Sequence, residues 1–480
     1  MGAANGLRHR VSRGGDVPAE NPAAVRRSFT WEEVSRHNNA DSAWITIEKN
    51  VYDITEWLDD HPGGKNLLLL MAGRECTDAF HSYHALTDKP ERMLSKFKIG
   101  TAASLEHTQY KPDSGFYREL CERAREYFRE SGVDHRSPWP CVWRMALIVA
   151  IMAASFLAAY GFWPALPLAW RALATLLFGF SESLAVLHLV HDASHWAVGQ
   201  GAIWNEWGAR LIMEVVAGSN LTWWLHNHNV HHLYTNVVGI DPDVPVKDPL
   251  RRIVHRQEVQ AHLRWQHVYV PVAYCILAIK SRFEDAWDTY TGRMSTVPFR
   301  INGPHPFWRL GLLPARAAWL AWHVALPLAA FPGSGGWKAV LAVFAASEMA
   351  AGYYTGIIFQ SSHMNADCDF PMGADKSNAD IVDDEWAKSQ VKTAVEFSHG
   401  RFKHIAAFLT GAANFQVVHH LFPGVSQYHC PALVPIVKDV CAKYGVKYTV
   451  LGSLADAFAS HICLLKAMGE QGIAAEVHLH

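Results

Sequence analysis

The chain contains few cysteines, and they form no recognisable site motif. The eight cysteines are scattered and never occur as C-x-x-C. This spacing argues against a zinc ribbon and against a disulfide scaffold, and it is typical of a protein in a reducing, cytosol-facing environment.

The chain also lacks an excess of either charge and an N-terminal apolar run. The formal net charge is −2, which leaves no basic surface for nucleic acid and no strongly basic face for anionic lipid. We therefore expect no nucleic-acid partner. Residues 1–27 are rich in Gly, Arg, Pro and Ala and have none of the apolar core of a signal peptide. We predict a disordered tail, with a cleaved transit peptide as the alternative.

What the chain has in abundance is apolar sequence. Half of its 480 residues are hydrophobic, including 19 Trp and 22 Phe. Four apolar runs, at 142–162, 168–187, 315–331 and 337–359, are close to the roughly 20 residues that cross a bilayer. They form two pairs, each joined by a short turn without Lys or Arg. We predict four transmembrane helices in two hairpins.

Two further segments are less suited to crossing a bilayer. Residues 204–225 contain Glu206, Arg210 and Glu214, which favours one amphipathic helix along the membrane interface. Residues 265–279 are apolar but short, and we predict a re-entrant or interfacial segment there.

Residues 28–101 have the pattern of a compact α+β module. Thr30 and Glu33 have the spacing of a capping box at a helix start, and the segments 43–47 and 50–54 alternate like short strands. A polar linker is expected to follow over 102–137, with one amphipathic helix at about 114–130. The membrane domain then occupies 138–480.

A histidine-bearing turn lies in the middle of the N-terminal module. His61 begins the sequence His-Pro-Gly-Gly, and His84 ends the helical hairpin that follows. With these features the module resembles the cytochrome b5 haem domain, in which His-Pro-Gly-Gly carries one axial ligand. The resemblance implies haem b, held by His61 and by His84, with His81 as the rival for the second position. Two axial histidines leave no open site on the haem, so its role would be to pass electrons.

Histidines also cluster beside the apolar runs. If the segment around them is helical, His228, His231 and His232 have i, i+3 and i+4 spacing and share one helix face. His191 and His195, at i and i+4, also share a face. A metal that takes neutral rings as ligands would prevent the mutual repulsion of crowded imidazolium groups. The eight candidate ligands are His191, His195, His228, His231, His232, His363, His419 and His420.

Eight ligands are too many for one tetrahedral zinc ion and suit two metal ions. Imidazole suits iron, and an adjacent electron-carrying module favours a redox metal. Two histidine-bound irons can react with dioxygen and oxidise an unactivated C–H bond, which in a membrane protein suggests a lipid chain as substrate.

The arrangement of the apolar runs also predicts a topology. Two spans lie between the histidines at 228–232 and those at 419–420, and they return the chain to the same side of the bilayer. A third full span at 265–279 would place His419 and His420 across the bilayer from His191. Lys and Arg flank the clusters and are missing from the two hairpin turns. The positive-inside rule therefore places every cluster in the cytosol with the haem module.

From about Phe29 onward the chain resembles a front-end fatty acyl desaturase with a fused cytochrome b5. The three histidine boxes of that family match His191-x3-His195, the box at His228 and Gln416-x2-His419-His420, and His363 resembles its additional ligand. The resemblance implies two irons, dioxygen and NADH-derived electrons delivered through cytochrome b5 reductase. It also implies an endoplasmic reticulum membrane protein whose substrate is a polyunsaturated acyl-CoA or acyl-phospholipid.

Several segments most resemble the delta-5 branch of that family, including Asp241-Pro-Asp-Val244. One departure concerns the middle box, in which Asn227 stands where delta-5 relatives usually have histidine. Either His226 or His228 can be the ligand there; we expect His228, with His226 as a packing residue. The open alternatives are a front-end desaturase of another position, a sphingolipid desaturase, a hydroxylase, and a membrane-tethered electron carrier without metal. The intact boxes count against the last of these.

Some neighbouring polar residues have more than one interpretation. Gln416 can bind metal, bind a metal-bound water or orient a neighbour, and we include it among the site residues. We expect His188 to be packed in its helix and Asp192 either to orient a histidine or to be a helix-end charge. Glu182 and Glu348 lie inside predicted spans, where ionisable groups are either functional or structural.

Overall fold

The computed structural model describes residues 27–104, 109–297, 301–302, 312–371 and 381–471. The predicted disordered tail, except for Arg27, lies outside the described residues. The protein consists of an N-terminal α+β module followed by a helical part.

The N-terminal module is a mixed sheet covered by short helices. Thr30 and Glu33 form the predicted capping box, in which each side chain accepts a hydrogen bond from the other residue's backbone N–H, at 3.2 and 2.9 Å. The two predicted strands pair antiparallel, with Ile45 opposite Tyr52. The strands are Ser28–Phe29, Asn38–Asn39, Ser42–Ile47, Asn50–Asp53, Arg74–Glu75 and Lys98–Ala102, and the α-helices are Trp31–Arg36, Lys65–Met71, Thr77–Tyr83 and Lys89–Leu94.

The predicted linker is attached to the C-terminal part of the chain. Its helix, predicted at about 114–130, spans Phe116–Ser131 and buries apolar side chains against the helix Cys430–Tyr444. Arg123 adds an ion pair to Asp439 at 2.5 Å. The strand Gln109–Lys111 pairs in parallel with Ile381–Glu385, a long-range pairing that the local sequence pattern did not reveal.

Three helices of the described chain are long and apolar enough to cross a membrane: Trp139–Ala159, Leu168–Ser194 and Trp337–His363. They correspond to three of the four predicted spans. The remaining one, predicted at 315–331, is helical over 312–330 in three consecutive segments and is not among these three helices. The run is divided by a π-helical turn at Ala321–Ala325, and Pro327, which has no backbone N–H to donate, follows that turn closely.

The prediction of one continuous interfacial helix over 204–225 was wrong. Helical turns at Ile203–Gly208 and Leu211–Val216 are followed by a break and by a new helix, Leu221–Leu233. Gly218 has a φ of 65° in the break. Asn220 then caps the new helix, because its Oδ1 accepts a hydrogen bond from the Trp223 N–H at 3.1 Å. The histidine-rich segment is therefore a separate helix with its own start.

The segment predicted at 265–279 is part of a longer helical run that continues through Leu277–Thr291. It packs closely on Trp337–His363, since a Cβ on Gly352 would come within 2.8 Å of the Tyr274 carbonyl oxygen. Its buried Asp285 accepts a hydrogen bond from the Asn220 N–H at 2.8 Å. The run thereby holds the start of the histidine-rich helix. The helices after residue 380 are Trp386–Lys392, Lys403–Thr410, Gln416–Leu421, Cys430–Tyr444 and Leu454–Glu470.

We predict that Gly179→Ala destabilises the protein, because helices Leu168–Ser194 and Trp337–His363 meet at this glycine. A Cβ at position 179 would clash with the backbone carbonyl of Ser347, and overpacking of this kind costs about 1–3 kcal/mol. Thermal unfolding in detergent measures the effect. Gly400→Ala is the matched control, because a Cβ there meets nothing within 4 Å. Equal melting temperatures for the two variants would contradict the prediction.

Candidate metal and haem sites

The eight predicted histidine ligands lie together in two neighbouring groups. The ligand atoms within each group all lie within 4.8 Å of one another, and every member is buried. The first group contains His191, His195, His228, His232 and His419, and the second contains His231, His363 and His420. The rings of His232 and His420 stack with their centroids 4.1 Å apart, so the two groups are in direct contact.

Four chain segments supply these side chains. Leu168–Ser194 and Trp337–His363 present histidines at their C-terminal ends, and Leu221–Leu233 and Gln416–Leu421 present theirs from short helices. Within Leu221–Leu233, His228 and His232 face the first group and His231 faces the second. One helix therefore contributes to both groups.

The nitrogen atoms of the first group have the spacing of ligands around a common ion. His195 Nε2 lies 2.9 Å from His228 Nε2, and His419 Nε2 lies 3.1 Å from His232 Nε2. Metal–imidazole bonds of about 2 Å place neighbouring ligand nitrogens about 3 Å apart. The buried Nδ1 atoms of His191, His232 and His419 make no hydrogen bond to any described residue. The nitrogens that meet in this group are Nε2 atoms, and a set of neutral Nε2 donors at this spacing fits a bound metal ion.

Each histidine of the second group forms a hydrogen bond through its Nδ1 atom to a residue outside the group. His231 Nδ1 lies 2.9 Å from Asp241 Oδ2, His363 Nδ1 lies 3.1 Å from the Thr393 carbonyl oxygen, and His420 Nδ1 lies 2.8 Å from Gln390 Oε1. A proton on each Nδ1 satisfies these acceptors and leaves each Nε2 free to bind metal.

Gln416 lies at the inner side of this second group. Its amide is 3.0 Å from His363 Nε2 and 3.1 Å from His420 Nε2. The predicted glutamine is thus placed with the histidines rather than on the surface.

The protein environment keeps most of these rings neutral. Burial, reinforced by neighbouring imidazoles, lowers the pKa of His195, His228 and His232 well below the usual value, and the same causes act on His419 and His420. Burial also acts to lower the pKa of His231, but the Asp241 carboxylate outweighs it and leaves that pKa raised. Neutral imidazole is the form that binds metal.

The two neighbouring histidines excluded from the predicted set make hydrogen bonds elsewhere. The His188 ring lies 2.8 Å from the Phe408 carbonyl oxygen and 2.9 Å from the Tyr428 hydroxyl. His226 Nε2 accepts a hydrogen bond from the Asn302 N–H at 2.8 Å. Both rings are therefore packing residues, as expected.

Asp192, Glu182 and Glu348 are all buried in polar contacts. Asp192 accepts hydrogen bonds from the Gln427 N–H and the Ser426 hydroxyl, at 3.0 and 3.1 Å, so it ties the first box to the loop after the last box. Glu182 lies 3.0 Å from His323 Nε2, and Glu348 forms an ion pair with Arg282. The sequence did not identify these two partners, because nothing local pairs them with the glutamates.

The predicted axial histidines face each other in the N-terminal module. The ring centroids of His61 and His84 are 6.4 Å apart, close to the roughly 6 Å expected when an ion between them makes two bonds of about 2 Å. His84 Nδ1 lies 2.8 Å from the Phe80 carbonyl oxygen and His61 Nδ1 lies 3.3 Å from that of Gly64. Burial lowers the pKa of both rings, that of His84 to about 4. The geometry fits an axially ligated haem.

The remaining features of the haem pocket agree with this arrangement. A Cβ on Gly63 would lie 2.6 Å from His61 Cε1, so the close turn needs glycine. The rival His81 is partly exposed and lies 3.2 Å from the Glu48 carboxylate, away from this pair.

The haem module is docked on the helical part through residues near both axial histidines. Asn66 Nδ2 donates a hydrogen bond to Glu206 Oε1 at 2.6 Å. Asn302 Nδ2 donates to the carbonyl oxygens of Leu69 and Ala72 at 3.1 and 3.0 Å. Gly64 lies against the Trp196 ring, which a Cβ at that position would strike. Sequence reasoning missed these contacts, because they join segments far apart in the chain.

Two family models match this chain. The family model "Fatty acid desaturase" matches residues 168–452, and the model "Cytochrome b5-like Heme/Steroid binding domain" matches residues 30–103. Among solved structures, the cytochrome b5 of Ostreococcus tauri virus 2 is 32% identical, with a TM-score of 0.15, and covers 16% of this chain and 95% of its own.

Curated relatives align along almost the whole chain. The Delta(5) fatty acid desaturase A of Dictyostelium discoideum is 31% identical over 92% of this chain and 94% of its own. The acyl-lipid (8-3)-desaturase of Mortierella alpina is 32% identical over 92% and 97%, and the human fatty acid desaturase 3 is 25% identical over 96% and 97%. The resemblance inferred from the histidine boxes is confirmed: this chain belongs to the fatty acid desaturase family, whose members are oxidoreductases acting on acyl chains, and it carries a cytochrome b5-like domain at its N-terminal side.

Proposed function

We propose that this protein is a front-end acyl desaturase that inserts a cis double bond at the delta-5 position of a long polyunsaturated acyl chain. The observation that carries the proposal is the convergence of eight buried histidines into two adjacent groups, with a haem module docked beside them. Relatives named as Delta(5) and (8-3)-desaturases support the position of the double bond.

We assign one iron to each histidine group. The first would be held by His191, His195, His228, His232 and His419, and the second by His231, His363 and His420 together with Gln416. Bound there, two irons supply the dioxygen-dependent oxidation that removes two hydrogens from neighbouring acyl carbons, with dioxygen leaving as water.

The role assigned to Gln416 follows from its position. As placed, its amide nitrogen can donate to the two Nε2 atoms that lie 3.0 and 3.1 Å away. A half-turn of the amide exchanges its nitrogen and oxygen without moving the rest of the side chain. The carbonyl oxygen would then face the position of the ion and complete the ligand set.

In this proposal His61 and His84 hold haem b and the module supplies electrons one at a time. The electrons come from NADH through cytochrome b5 reductase. A haem held by both His61 and His84 would have no open position for dioxygen, so it would supply electrons while the histidine groups would hold the oxidising metal.

We further propose that the protein lies in the endoplasmic reticulum membrane, with four spans in two hairpins and the haem module and histidine groups on the cytosolic side. The module at 28–101, the linker at 102–137 and the membrane domain at 138–480 are the units of this architecture. Relatives named acyl-lipid desaturases favour an acyl-phospholipid over an acyl-CoA as the substrate.

We predict that His61→Ala and His84→Ala each abolish the low-spin b-type haem spectrum, because each removes one axial ligand. His81→Ala is the matched control and should keep both spectrum and haem content, since that ring is bound to Glu48 at 3.2 Å. Optical spectroscopy of purified protein measures all three. A normal spectrum in either axial variant would refute the haem assignment.

We predict about two non-haem irons per chain, the number set by two ligand groups, and weaker iron binding in Asp241→Asn. Asp241 orients His231 through the contact of 2.9 Å, and loss of such an outer partner costs roughly 10–100-fold in metal affinity or activity. Metal analysis and iron titration measure both quantities. Asp439→Asn, which removes only an exposed ion pair with Arg123, is the control. Zinc in place of iron would rule out oxidative chemistry.

We predict that yeast cells expressing the protein convert dihomo-gamma-linolenic acid to a product with a new delta-5 double bond. A panel of acids should be fed, and the product located by mass spectrometry in phospholipid and acyl-CoA fractions. His419→Ala should give no product while keeping its haem spectrum, because the variant loses only a ligand of the first group. Conversion of a different acid alone would refute delta-5 but keep the class. No conversion of any acid, with no non-haem iron, would indicate an electron carrier.

A further inference from the structure

The haem module reaches the first histidine group through the side chain of Tyr83. Tyr83 is the residue before the proposed axial ligand His84, and its hydroxyl oxygen lies 2.8 Å from His195 Nδ1. The same hydroxyl is hydrogen-bonded to Asn229 Oδ1. Asn229 belongs to the helix that carries the middle histidine box. A residue of the haem module is therefore inserted between two segments that supply ligands of the first group.

The donor and the acceptor in each of these hydrogen bonds follow from the other contact of the Asn229 amide. Asn229 Nδ2 donates to the Leu225 carbonyl oxygen at 2.7 Å, so its Oδ1 is the atom that faces Tyr83. The Tyr83 hydroxyl has one proton, and it donates that proton to Asn229 Oδ1. The hydroxyl oxygen is then an acceptor for a proton on His195 Nδ1.

These hydrogen bonds decide which ring nitrogen of His195 is available to bind a metal ion. With its proton on Nδ1, His195 presents an unprotonated Nε2 to the first group. That Nε2 is the atom that lies 2.9 Å from His228 Nε2. Tyr83 therefore sets the tautomer and the ring orientation of a proposed iron ligand that belongs to another part of the chain.

A second contact holds the same neighbourhood. Trp196, the residue after His195, lies against Gly64 in the turn that carries the other axial histidine, and Trp196 has a φ of 56°. Backbone of this kind persists where surrounding contacts hold it. The residues beside both axial histidines therefore touch the segment 195–196.

We propose that Tyr83 is the positioning residue that connects the two redox centres, and that electrons enter the iron site at His195. This proposal rests on the proposed function. In each transfer one electron leaves the ferrous haem, which becomes ferric, and reduces one ferric non-haem iron to ferrous. The covalent path runs from the His84 ring through the backbone to the Tyr83 ring, and the hydrogen bond to His195 Nδ1 completes it. No proton needs to leave Tyr83 for this transfer.

Tyr83→Phe tests the proposal, because it keeps the ring and removes the hydroxyl. The full-length protein is reduced without oxygen, then mixed with dioxygen and acyl substrate, and reoxidation of the haem is followed by stopped-flow absorbance. The rate in His419→Ala is first subtracted as the iron-independent background, and the remaining rate is then divided by the measured non-haem iron. We expect a fall of roughly 10-fold or more in the iron-dependent rate, the effect usual for loss of a ligand's outer partner.

Three further readouts separate an electronic role from a structural one. The haem spectrum, the haem midpoint potential and the rate of haem reduction by the reductase should be unchanged in Tyr83→Phe. Asn66→Ala is the matched control, because it removes the hydrogen bond to Glu206 across the same interface without touching either centre. Its iron-dependent rate should fall much less than that of Tyr83→Phe, because Asn66 contacts neither the axial histidines nor a histidine of the first group.

Each outcome has one meaning. A wild-type rate per iron in Tyr83→Phe would overturn the proposal, and so would an equal fall in Asn66→Ala, which would show that docking alone matters. If the wild-type protein itself reoxidises no faster than His419→Ala, the proposed function fails, and the role of Tyr83 fails with it.

Discussion

The burial of many uncharged imidazoles in one place is the constraint on which the rest of the structure depends. Each ring in water could take up a proton, but neighbouring charged rings in a dry interior would repel strongly. Burial keeps the pKa of most of these rings low, and carbonyl or carboxylate acceptors hold the Nδ1 side of several of them. The remaining nitrogens then point inward. Unprotonated, inward-facing nitrogens of this kind are suited to binding a metal ion.

Helical spacing predicted that these histidines lie near one another but not their division into two groups. His228, His231 and His232 were expected to share one face, yet consecutive residues of an α-helix point about 100° apart. His232 therefore turns with His228 toward the first group, while His231 points toward the second. Whether His231 joins His228 and His232 in one group depends on the elements that pack around the helix. The surrounding helices, and not the local pattern, decide that His231 meets His363 and His420.

The features that the sequence did not predict are those made by residues distant in the chain. The capping box at Thr30 and the helix in the linker were predicted because each is a local pattern. The break at Gly218 and Asn220 was missed, because the amphipathic pattern continues across it. The support of His420 by Gln390 had no sequence signal either, since an isolated glutamine has no spacing that marks it. Local pattern thus marked the clustered histidines, while the residues that contact them from distant segments required the structure.

His226 shows how docking and the metal site share one helix without sharing ligands. Its Nδ1 lies 2.9 Å from the Thr222 carbonyl oxygen, so a proton there leaves Nε2 to accept the Asn302 N–H. The Asn302 side chain in turn donates to carbonyl oxygens at the end of the helix Lys65–Met71, where a helix has unpaired acceptors. The contact from the histidine-rich helix to the haem module therefore ends on backbone atoms. Substitutions of surface side chains in the module leave these backbone hydrogen bonds in place. A change in the direction of the C-terminal end of Lys65–Met71 would break them. This part of the docking contact therefore depends on the backbone of the N-terminal module.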